Sequence, residues 1–497
     1  MTEPSTEPSR AFTETTILVL LIFFIVFLRG LASYLNSQSQ AVLLSTSKNV
    51  AIFVLGDIGR SPRMQYHALS FAQNGWNVDF IGYNGASPLI SITEDPKIKI
   101  HYLTHPWHFP DKLPKLLFFI YAPFKVYFQI LLAYWVFLVR IKRPDFVLVQ
   151  NPPSIPTLMI IQFICWIRST NLIIDWHNFG FTILGIRLGQ NSRIVKFAKW
   201  YEQFYGRRAY AHLTVTGALH RELMYKWNVE GNISTLYDRP PSHFKRLSLD
   251  EIHEFFTRFD LEKIISEQSI GSDFLPPSSS NSTFLTMKNL STNQVTFRND
   301  RPILIVSSTS WTADEDFSML LKAAHIYDET VEKCKHQSES SRVFPKLVFV
   351  ITGKGPLKDK YEEEISKMLS KNIRIVTAWL SFEDYPMLLG SADLGICLHT
   401  SSSGMDLPMK VVDMFGCGLP VCAFDYKCLD ELVRHNRNGL VFKNGEQLAE
   451  QLIDLFTNYP NTEIKLDAMR KNIIEFQKER WDDNWKRVVL PLLSNNI

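Results

Sequence analysis

The feature that most constrains the fold of this 497-residue chain is a repeated pattern of short apolar runs, each followed by a polar loop and a helical stretch. A first series of candidate strands lies at 50–55, 78–82, 98–102, 146–150, 172–175 and 213–215. A second series lies at 303–307, 347–352, 373–376, 394–398 and 421–424. Strands that alternate with helices in this way predict parallel sheets with helices on both faces. The predicted fold class is therefore α/β, with two doubly wound halves.

The pattern breaks between about 242 and 300. A charged segment comes first, and 276–299 is then rich in Pro, Ser, Thr and Asn, a composition typical of a disordered linker. The predicted domains are therefore 48–241 and 301–463, joined by a partly disordered linker or insertion at 242–300. The last segment, 464–497, is predicted to be helical, and a return of this helix to the first domain is one interpretation. Two halves of this kind usually hold a ligand in the cleft that their strand ends face.

An apolar segment at 17–35 follows a polar tail at 1–16. As one helix it would span roughly 28 Å, close to the thickness of the hydrocarbon core of a bilayer. We interpret it as a single transmembrane anchor, because a cleaved signal peptide would need a positively charged n-region that the tail lacks. Arg29 and Lys48 place positive charge on the C-terminal side of the apolar run, so the tail is predicted to be lumenal and the body cytosolic.

Two further apolar stretches belong to the body of the chain. The stretch 116–139 is rich in aromatic residues but is interrupted by Pro123, Lys125 and Gln129, so no second span is predicted there. A buried domain helix and a helix lying on the bilayer fit this stretch equally well. For 155–167 a buried helix is favoured.

The charge balance argues against one class of partner. Lys plus Arg number 53 and Asp plus Glu number 50, a net charge of +3, which gives no reason to propose a nucleic acid. The six cysteines show neither metal-ligand spacing nor a small disulfide framework. No metal site and no tightly bound cofactor are predicted, and a requirement for a divalent cation is left open.

The most informative segment runs from 395 to 424. A strand leads into a Ser-rich loop that contains Ser402 and Gly404, and a predicted helix follows from about 407 to 415. A loop that feeds a helix N-terminus at the carboxyl end of a strand is where α/β sheets bind anionic ligands. Lys410 could neutralise the charge of a leaving diphosphate, although a solvated helix lysine is the simpler interpretation. Asp413 could accept hydrogen bonds from sugar hydroxyls.

Two other loops of the second half also follow predicted strands. Ser308 and Thr309 supply hydroxyls and amides for a phosphate, and the acids at 312–316 are expected to cap the next helix. Gly353 and Lys354 follow the next strand. The full P-loop pattern is absent around them, so this lysine does not indicate an ATPase.

In the first half, the loop 56–61 joins the first strand to a predicted helix. Gly59 would let the backbone approach a ligand closely, and Arg60 could pair with a phosphate. The glycine spacing is not the dinucleotide fingerprint, which argues against a nicotinamide enzyme. Asp57 could act as a general base. The alternative is an ordinary turn in which Asp57 accepts hydrogen bonds from backbone amides.

His177 and Asn178 directly follow the strand at 172–175. A histidine beside Asp and Asn residues at a strand end fits an acid/base or sugar-binding cluster, whereas a purely structural histidine is the alternative. His177 and Asp57 are therefore the two candidates for a general base, and the sequence does not choose between them.

Six segments together resemble the family of chitobiosyldiphosphodolichol beta-mannosyltransferases, which have the GT-B architecture. They are GDIGRSPRMQYH (56–67), DWHNFG (175–180), LYDRPP (236–241), SSTSWTADEDF (307–317), ITGKGP (351–356) and SADLGICLHTSSSGMDLPMKVVDMFGCGLPVCA (391–423). The resemblance covers most of 48–240 and 301–440. It implies two Rossmann-like domains facing a cleft, preceded by an N-terminal transmembrane helix.

The resemblance implies an inverting mannosyltransferase that adds the first, beta-1,4-linked mannose from GDP-mannose to dolichyl-diphosphate chitobiose in N-glycan precursor synthesis. Donor-binding roles then fall on Ser308, Thr309, Gly353, Lys354, Ser402, Gly404, Lys410 and Asp413. Acceptor-binding roles fall on Gly59, Arg60 and Asn178. The resemblance also implies a single-pass protein of the endoplasmic reticulum membrane, in contact with lipid and with its catalytic body on the cytosolic face. It leaves association with other glycosyltransferases of the dolichol pathway open.

One position departs from a wider pattern of GT-B transferases, a pair of glutamates spaced E-x7-E. Asp413 matches the second glutamate, whereas Met405 stands where the first would be and Asp406 follows it. Because that pair is typically tied to retaining chemistry, its weakening is compatible with inversion. Two alternatives stay open: another GT-B nucleotide-sugar transferase, such as a retaining mannosyltransferase of the same pathway, and a non-catalytic membrane scaffold with the same fold.

Overall fold

The computed structural model describes residues 29–30, 48–105, 118–268, 274–312, 314–336, 342–368, 370–460 and 463–494. The predicted tail at 1–16 lies outside the described residues, as does the predicted anchor apart from Arg29 and Gly30. The chain divides into two compact units. The first unit contains the chain up to Val215, Leu219–Thr235 and the residues from Val488 onward, and the second contains Thr216–Ala218 and Leu236–Arg487.

The first unit is built on a parallel seven-stranded sheet. Its strands are β1 (Asn49–Asp57), β2 (Asn77–Tyr83), β3 (Ile98–Leu103), β4 (Phe146–Asn151), β5 (Asn171–Trp176), β6 (Arg208–Thr214) and β7 (Glu230–Thr235). Its helices are α1 (Pro62–Gln73), α2 (Ile90–Thr93), α3 (Phe118–Trp135), α4 (Thr157–Arg168), α5 (Gly180–Leu188), α6 (Arg193–Gly206) and α7 (Gly217–Arg221). The strand order across the sheet is β3-β2-β1-β4-β5-β6-β7, the doubly wound order that the sequence predicts.

The strand order of the first unit changes direction between β1 and β4. Val50 of β1 pairs with Val78 on one side and with Phe146 on the other. The inner strands are rich in Val, Ile, Leu and Phe and are buried, as expected for parallel strands covered on both faces. The loops that follow β1, β4 and β5 therefore lie at the same edge of the sheet, where doubly wound folds bind ligands.

The second unit is built on a parallel six-stranded sheet of order β12-β11-β10-β13-β14-β15 and an antiparallel hairpin. Its strands are β8 (Thr286–Lys288), β9 (Val295–Phe297), β10 (Ile303–Ser308), β11 (Leu347–Thr352), β12 (Ile373–Ala378), β13 (Leu394–Cys397), β14 (Val421–Phe424) and β15 (Gly439–Phe442). Its helices are α8 (Leu249–Arg258), α9 (Leu261–Gln268), α10 (Ser318–His336), α11 (Lys358–Ser366), α12 (Asp384–Ser391), α13 (Met409–Gly416), α14 (Gly445–Phe456), α15 (Glu463–Gln477) and α16 (Trp481–Val488).

Every strand predicted from the sequence is present, within a few residues of its predicted bounds. The strands β7, β8, β9 and β15 are not among the predictions. β7 is polar and partly exposed, and the other three have only three or four residues, too few for a periodic pattern to stand out.

The segment between the two series is folded wherever the structure describes it, which corrects the prediction of a partly disordered linker. It contains α8, α9 and the β8–β9 hairpin. The reason is burial: Phe255, Phe284 and Leu285 join the hydrophobic core of the second unit, although polar residues surround them in the sequence. The second unit begins at Leu236, ahead of the boundary predicted after 241.

The C-terminal region contains α15, α16 and a last helix α17 (Leu490–Ser494) instead of one continuous helix. From Val488 onward the chain is part of the first unit. There the Tyr210 hydroxyl of β6 donates a hydrogen bond of 2.7 Å to the Leu492 carbonyl. The chain end is thereby fixed to the sheet of the first unit.

The stretch 116–139 contains α3, which continues as a π-helical turn at Val136–Arg140. Among the described residues, 123–140 is the one helix that is long and apolar enough to cross a membrane, and 22% of it is buried. Most of this window is therefore half-buried or exposed, which disfavours the interpretation as a buried domain helix. By contrast, Ile160, Ile161 and Ile164 of α4 are buried, as predicted for 155–167.

His212 in β6 is fully buried and held as a neutral ring. The Trp176 indole donates to Nδ1 at 3.1 Å, and Nε2 lies 2.9 Å from the Glu230 carbonyl. Because an indole N–H can only donate, Nδ1 is the acceptor and Nε2 carries the proton. A second proton would break the bond to Trp176, and burial lowers the pKa of His212 to about 4.

We expect the first unit to lose stability as the pH falls from about 6.5 toward 4. A histidine in the unfolded chain takes up a proton near pH 6.5, whereas folded His212 does so only near pH 4, so protons favour the unfolded chain in this window. Near pH 4, the free energy of unfolding is lower than at pH 7 by roughly 3 kcal/mol because of this histidine. Melting temperatures of the full chain at pH 7 and pH 5 measure it. His212→Gln, which does not titrate there, should lose less between the two pH values, and equal losses would contradict this account.

Candidate active site

Asp175, near the end of β5, is a fully buried carboxylate that binds three side chains of the first unit. The Arg63 guanidinium donates to both of its oxygens, from Nε at 2.8 Å and from Nη2 at 2.9 Å. His177 and His67 place their Nε2 atoms 2.7 and 3.3 Å from Oδ2. Burial alone would raise the pKa of the Asp175 carboxyl, but the Arg63 charge and the His177 bond hold it well below its usual value. Asp175 is therefore a charged anchor for the loop that follows it.

His177 is the member of this cluster that reaches the surface, with 24% of its side chain exposed. Because the Asp175 carboxylate can only accept, Nε2 carries a proton and donates the hydrogen bond, and Nδ1 of the neutral ring keeps a free lone pair. No second partner of the ring is found in the part of the chain that the structure describes. A carboxylate that fixes the tautomer and orientation of an imidazole is the arrangement that general bases use.

Glu202 of α6 fixes the loop that carries His177. This buried carboxylate accepts the Asn151 side-chain amide at 2.7 Å and the backbone amides of Gly180 and Phe181 at 3.0 and 3.2 Å. It thereby caps the N-terminus of α5. Asn151 also donates to the Asn178 carbonyl at 3.3 Å, and the Asn178 side chain accepts from the Phe179 amide at 2.7 Å. Asn178 thus has a structural role in the loop, and its predicted contact with an acceptor stays a prediction.

Asp57 ends β1 and is engaged by backbone amides. Its Oδ1 accepts from Gly59 at 3.0 Å and its Oδ2 from Ala86 at 2.9 Å. Gly59 is required for packing, because a Cβ there would overlap the Ala86 carbonyl. The exposed Arg60 places Nε 3.3 Å from Asp57 Oδ2. This is the ordinary turn that the sequence left as the alternative, and it makes Asp57 a weaker candidate base than His177.

In the second unit, Ser308 ends β10 beside two other hydroxyls. Its Oγ lies 3.0 Å from the Tyr385 hydroxyl and accepts from Thr352 at 3.3 Å. Burial raises the pKa of Tyr385 well above its usual value, and the nearby Asp413 charge adds to the shift. These groups form a neutral hydroxyl cluster at the carboxyl edge of the sheet.

Glu315 organises the neighbouring loop and was not predicted as a site residue. Its Oε2 accepts from the Thr309 hydroxyl and the Ser310 amide, both at 2.6 Å. Its Oε1 forms an ion pair with Lys410. Thr309 is buried, its hydroxyl is used in this way, and its backbone amide donates to the Thr352 carbonyl at 2.8 Å, so its predicted part in donor binding stays a prediction. Of the acids expected to cap α10, Asp316 does so by accepting from the Ser318 amide at 3.1 Å.

Gly353 and Lys354 form the loop after β11. Gly353 has φ +131°, and a Cβ there would overlap the Thr309 carbonyl, so only glycine fits. The Lys354 ammonium lies 3.8 Å from the centre of the Trp379 ring, and 62% of Trp379 is exposed. A cation held on an exposed aromatic face is a feature that a nucleotide can use.

The Ser-rich loop leads into α13, as the sequence predicts. Gly404 has φ +70°, and the Met405 amide donates to the Ser401 and Ser403 hydroxyls at 3.2 and 3.1 Å. Asp406 accepts from Ser401, so it is bound within the loop. The predicted part of Ser402 in donor binding stays a prediction.

Asp413 is a half-buried carboxyl on α13 with no hydrogen-bond partner in the part of the chain that the structure describes. Burial raises its pKa well above the usual value, and the negative charge of Asp238 adds to the shift. A carboxyl in this state gains from any ligand hydroxyl that donates to it. Asp413 is therefore a candidate acceptor for a sugar hydroxyl.

The structure thus assembles two sets of predicted residues, one in each unit, and adds residues that the sequence did not single out. These additions are Arg63, His67, Glu202, Asp238, Glu315 and Tyr385, whereas Asp175 belongs to the cluster of His, Asp and Asn that the sequence predicted at the end of β5. One signal could have identified two of them: Arg63 and Glu202 stand among buried positions of amphipathic helices, where a charge needs a partner. Among the described residues no group of three or more His, Cys, Asp or Glu side chains could hold a metal ion.

The comparisons with known proteins agree with this geometry. Residues 291–480 match the family model of glycosyl transferases group 1. Sucrose-phosphate synthase from Thermosynechococcus elongatus has the same fold with a TM-score of 0.57 at 12% identity, over 90% of this chain and 98% of that one. A glycosyltransferase from Rickettsia africae gives a TM-score of 0.54 at 13% identity, over 91% and 100%.

Curated relatives are similar over nearly the whole chain. Chitobiosyldiphosphodolichol beta-mannosyltransferase from Mus musculus is 44% identical over 480 residues, 97% of this chain and 95% of the relative. The Homo sapiens protein of the same name is 44% identical over 90% and 93%. UDP-glycosyltransferase TURAN from Arabidopsis thaliana is 43% identical over 90% and 97%.

Two Rossmann-like units, each with polar loops at the carboxyl edge of its sheet, define a glycosyltransferase of the GT-B class. Within that class, the chain belongs to the chitobiosyldiphosphodolichol beta-mannosyltransferase family.

We expect Gly353→Ala to destabilise the second unit by more than about 1 kcal/mol, because the substitution forces a positive φ and an overlap with the Thr309 carbonyl. Thermal unfolding of the full chain measures the loss. Gly56→Ala is the matched control, since a Cβ there meets only Val54 at an ordinary 3.5 Å. Equal melting temperatures of the two variants would contradict the packing described for this loop.

Proposed function

We propose that this enzyme transfers mannose from GDP-mannose to dolichyl-diphosphate chitobiose and forms a beta-1,4 linkage with inversion at the anomeric carbon. The observation that carries the proposal is the 44% identity over 480 residues to a mouse protein that is named for this acceptor and linkage type. The geometry supports it, because the first unit offers a candidate base and the second offers acceptors for a nucleotide sugar.

The donor is assigned to the second unit. Asp413 would accept hydrogen bonds from ribose hydroxyls, which would relieve the cost of its burial. The Ser-rich loop and the free amides at the N-terminus of α13 would face the diphosphate. Lys410 would add positive charge there, although part of that charge is compensated by its ion pair with Glu315. Ser308 and the Gly353–Lys354 loop complete the assigned donor residues.

The acceptor is assigned to the first unit, with His177 as the general base. Asp175 holds its Nε2, so Nδ1 is the atom that can take a proton. Arg60 is exposed and could pair with a phosphate of the lipid diphosphate.

In the proposed step, the acceptor hydroxyl oxygen attacks C1 of the mannose while the bond from C1 to the β-phosphate oxygen breaks. The hydroxyl proton passes to Nδ1 of His177, and GDP leaves with the bonding electron pair. One in-line displacement on an α-linked donor gives a β-linked product. The developing charge on the leaving diphosphate requires cationic and N–H groups around it, which is the role assigned to Lys410 and to α13.

The proposal includes a location. With the segment 17–35 as a single-pass anchor, the body would lie on the cytosolic face of the endoplasmic reticulum membrane, where a dolichol-linked acceptor is embedded in lipid. Other glycosyltransferases of the dolichol pathway are candidate partners at that membrane.

Mannose transfer by the full chain in vesicles that contain dolichyl-diphosphate chitobiose tests the proposal. We expect a β-linked trisaccharide from GDP-mannose, identified by digestion with a β-mannosidase. His177→Ala should lower the rate ~10²–10⁴-fold. Asp413→Ala should raise the KM for GDP-mannose roughly 10- to 100-fold. Asp57→Ala should lower the transfer rate less than His177→Ala does, because the Asp57 carboxylate already accepts hydrogen bonds from backbone amides.

Other results would redirect the proposal. An α-linked product would indicate a retaining transferase. Transfer from a UDP-sugar but not from GDP-mannose would change the donor, as the name of the Arabidopsis relative would have it. Full activity of His177→Ala would exclude it as the base, and a folded protein that is inert with every donor would favour the scaffold.

A separate prediction concerns Asp175 as a positioning residue. We expect Asp175→Asn to lower kcat ~10²–10⁴-fold by removing the charge that orients the base, with the KM for GDP-mannose unchanged. The control is Asp79→Asn, which breaks a similar 2.7 Å carboxylate–histidine pair with His101 in the same sheet. Circular dichroism and melting temperature must show that both variants fold. Equal kinetic losses in the two variants would show that the effect is only structural.

A further inference from the structure

Helix α6 exposes a stripe of large apolar side chains to solvent. Ile194, Phe197, Trp200 and Phe204 are exposed by 54%, 53%, 53% and 60%. Their spacing of three or four residues places them on one face of the helix. The opposite face packs into the first unit through Val195, Ala198, Tyr201 and the buried Glu202. An aromatic stripe of this kind on a folded unit marks a binding surface.

The neighbouring helix α5 extends the stripe. It packs against α6 and exposes Ile183, Ile186 and Leu188. Arg187 stands among them. We call the two helices, residues 180–206, the aromatic hairpin.

The charge of the aromatic hairpin is one-sided. Its exposed charged residues are Arg187, Arg193, Lys196 and Lys199. The acidic residue of the hairpin is Glu202, which is buried and accepts a hydrogen bond from the Gly180 amide. Every exposed charge of the hairpin is therefore positive.

Helix α3 adds a second apolar stripe with the same charge pattern. Phe124, Tyr127, Leu131 and Trp135 are exposed and again spaced by three or four residues. The segment 118–144 contains no acidic residue. Because crossovers between parallel strands are right-handed, the strand order puts α3, α4 and α6 on one face of the sheet. Contacts of α4 with both α3 and α6 make this a continuous layer.

We propose that the aromatic hairpin, continued by α3, docks on the anionic phospholipid surface of a bilayer. Exposed Trp, Tyr and Phe side chains suit the headgroup region, and surrounding lysines and arginines are attracted to anionic lipids. The uniform positive charge favours lipid over a protein surface, where charges of both signs and hydrogen-bonding groups would be matched across the interface.

The hairpin is also bonded to the candidate base loop. Glu202 accepts from the Gly180 and Phe181 amides at the start of α5, directly after His177 and Asn178. Docking would therefore fix the height of this loop above the lipid surface. That last consequence rests on the proposed function, whereas the docking itself does not.

A fluorescent probe at an introduced cysteine tests the docking, because the native cysteines other than Cys334 are buried. Full-length protein with Cys334→Ser, to remove the partly exposed native thiol, receives Trp200→Cys and an environment-sensitive label. Ile90→Cys in α2 is the matched control, because Ile90 is equally apolar and 66% exposed but belongs to the other face of the sheet. Both proteins share the N-terminal segment, so any difference reports on the hairpin.

In vesicles of phosphatidylcholine with phosphatidylserine, we expect a blue-shifted label at position 200 that spin-labelled lipids quench several-fold more than the label at position 90. Lys196→Glu with Lys199→Glu should reduce this quenching several-fold. Equal quenching at the two positions would overturn the proposal. So would a blue shift at position 200 before any lipid is added, because it would indicate burial by another copy of the chain. Failure of either kind leaves the transferase proposal intact, since mannose transfer is measured separately.

Discussion

The buried carboxylate of Asp175 is the interaction on which the site in the first unit depends. Removing a partner from a buried ion pair typically costs about 3–5 kcal/mol, so Arg63 must lie opposite this carboxylate. The pair joins α1 to the end of β5. It also fixes His177 through Oδ2. One stabilising contact therefore sets the position of the candidate base and the tautomer of its ring.

The second unit also contains a buried arginine–aspartate ion pair, which lies at the start of its central strands. Arg301 and Asp393 form a buried bidentate pair at 2.8 and 3.0 Å, and Asp393 also accepts from the Leu304 amide at 2.9 Å. This pair ties the start of β10 to the turn before β13. The two central strands therefore keep their relative position, and the loops at their other ends, which carry Ser308 and Gly404, are set by it.

In the first unit, the helices α5 and α6 support both the candidate base loop and the exposed aromatic stripe. Glu202 belongs to the helix that exposes the aromatic stripe, yet its carboxylate caps the helix that begins at the candidate base loop. An enzyme with a lipid-linked acceptor needs both features, a fixed base and a fixed distance to the membrane surface. A single buried carboxylate can couple them because α5 and α6 pack against each other.

The sequence by itself determined the parallel sheets, nearly all of their strands and the loops that hold candidate residues. Apolar periodicity and strand–loop–helix order are local, so they are readable along the chain. Asp413 and His177 were identified in this way. Only the tertiary structure decided the partners: Arg63 for Asp175, Glu315 for Lys410 and backbone amides for Asp57. It also decided that the segment 276–299 packs onto the core of the second unit through Phe284 and Leu285. It decided as well that the aromatic stripe of α6 faces solvent. Apart from the Gly59 amide that bonds Asp57, each of these depends on residues far apart in sequence, whose pairing only the packed chain can set.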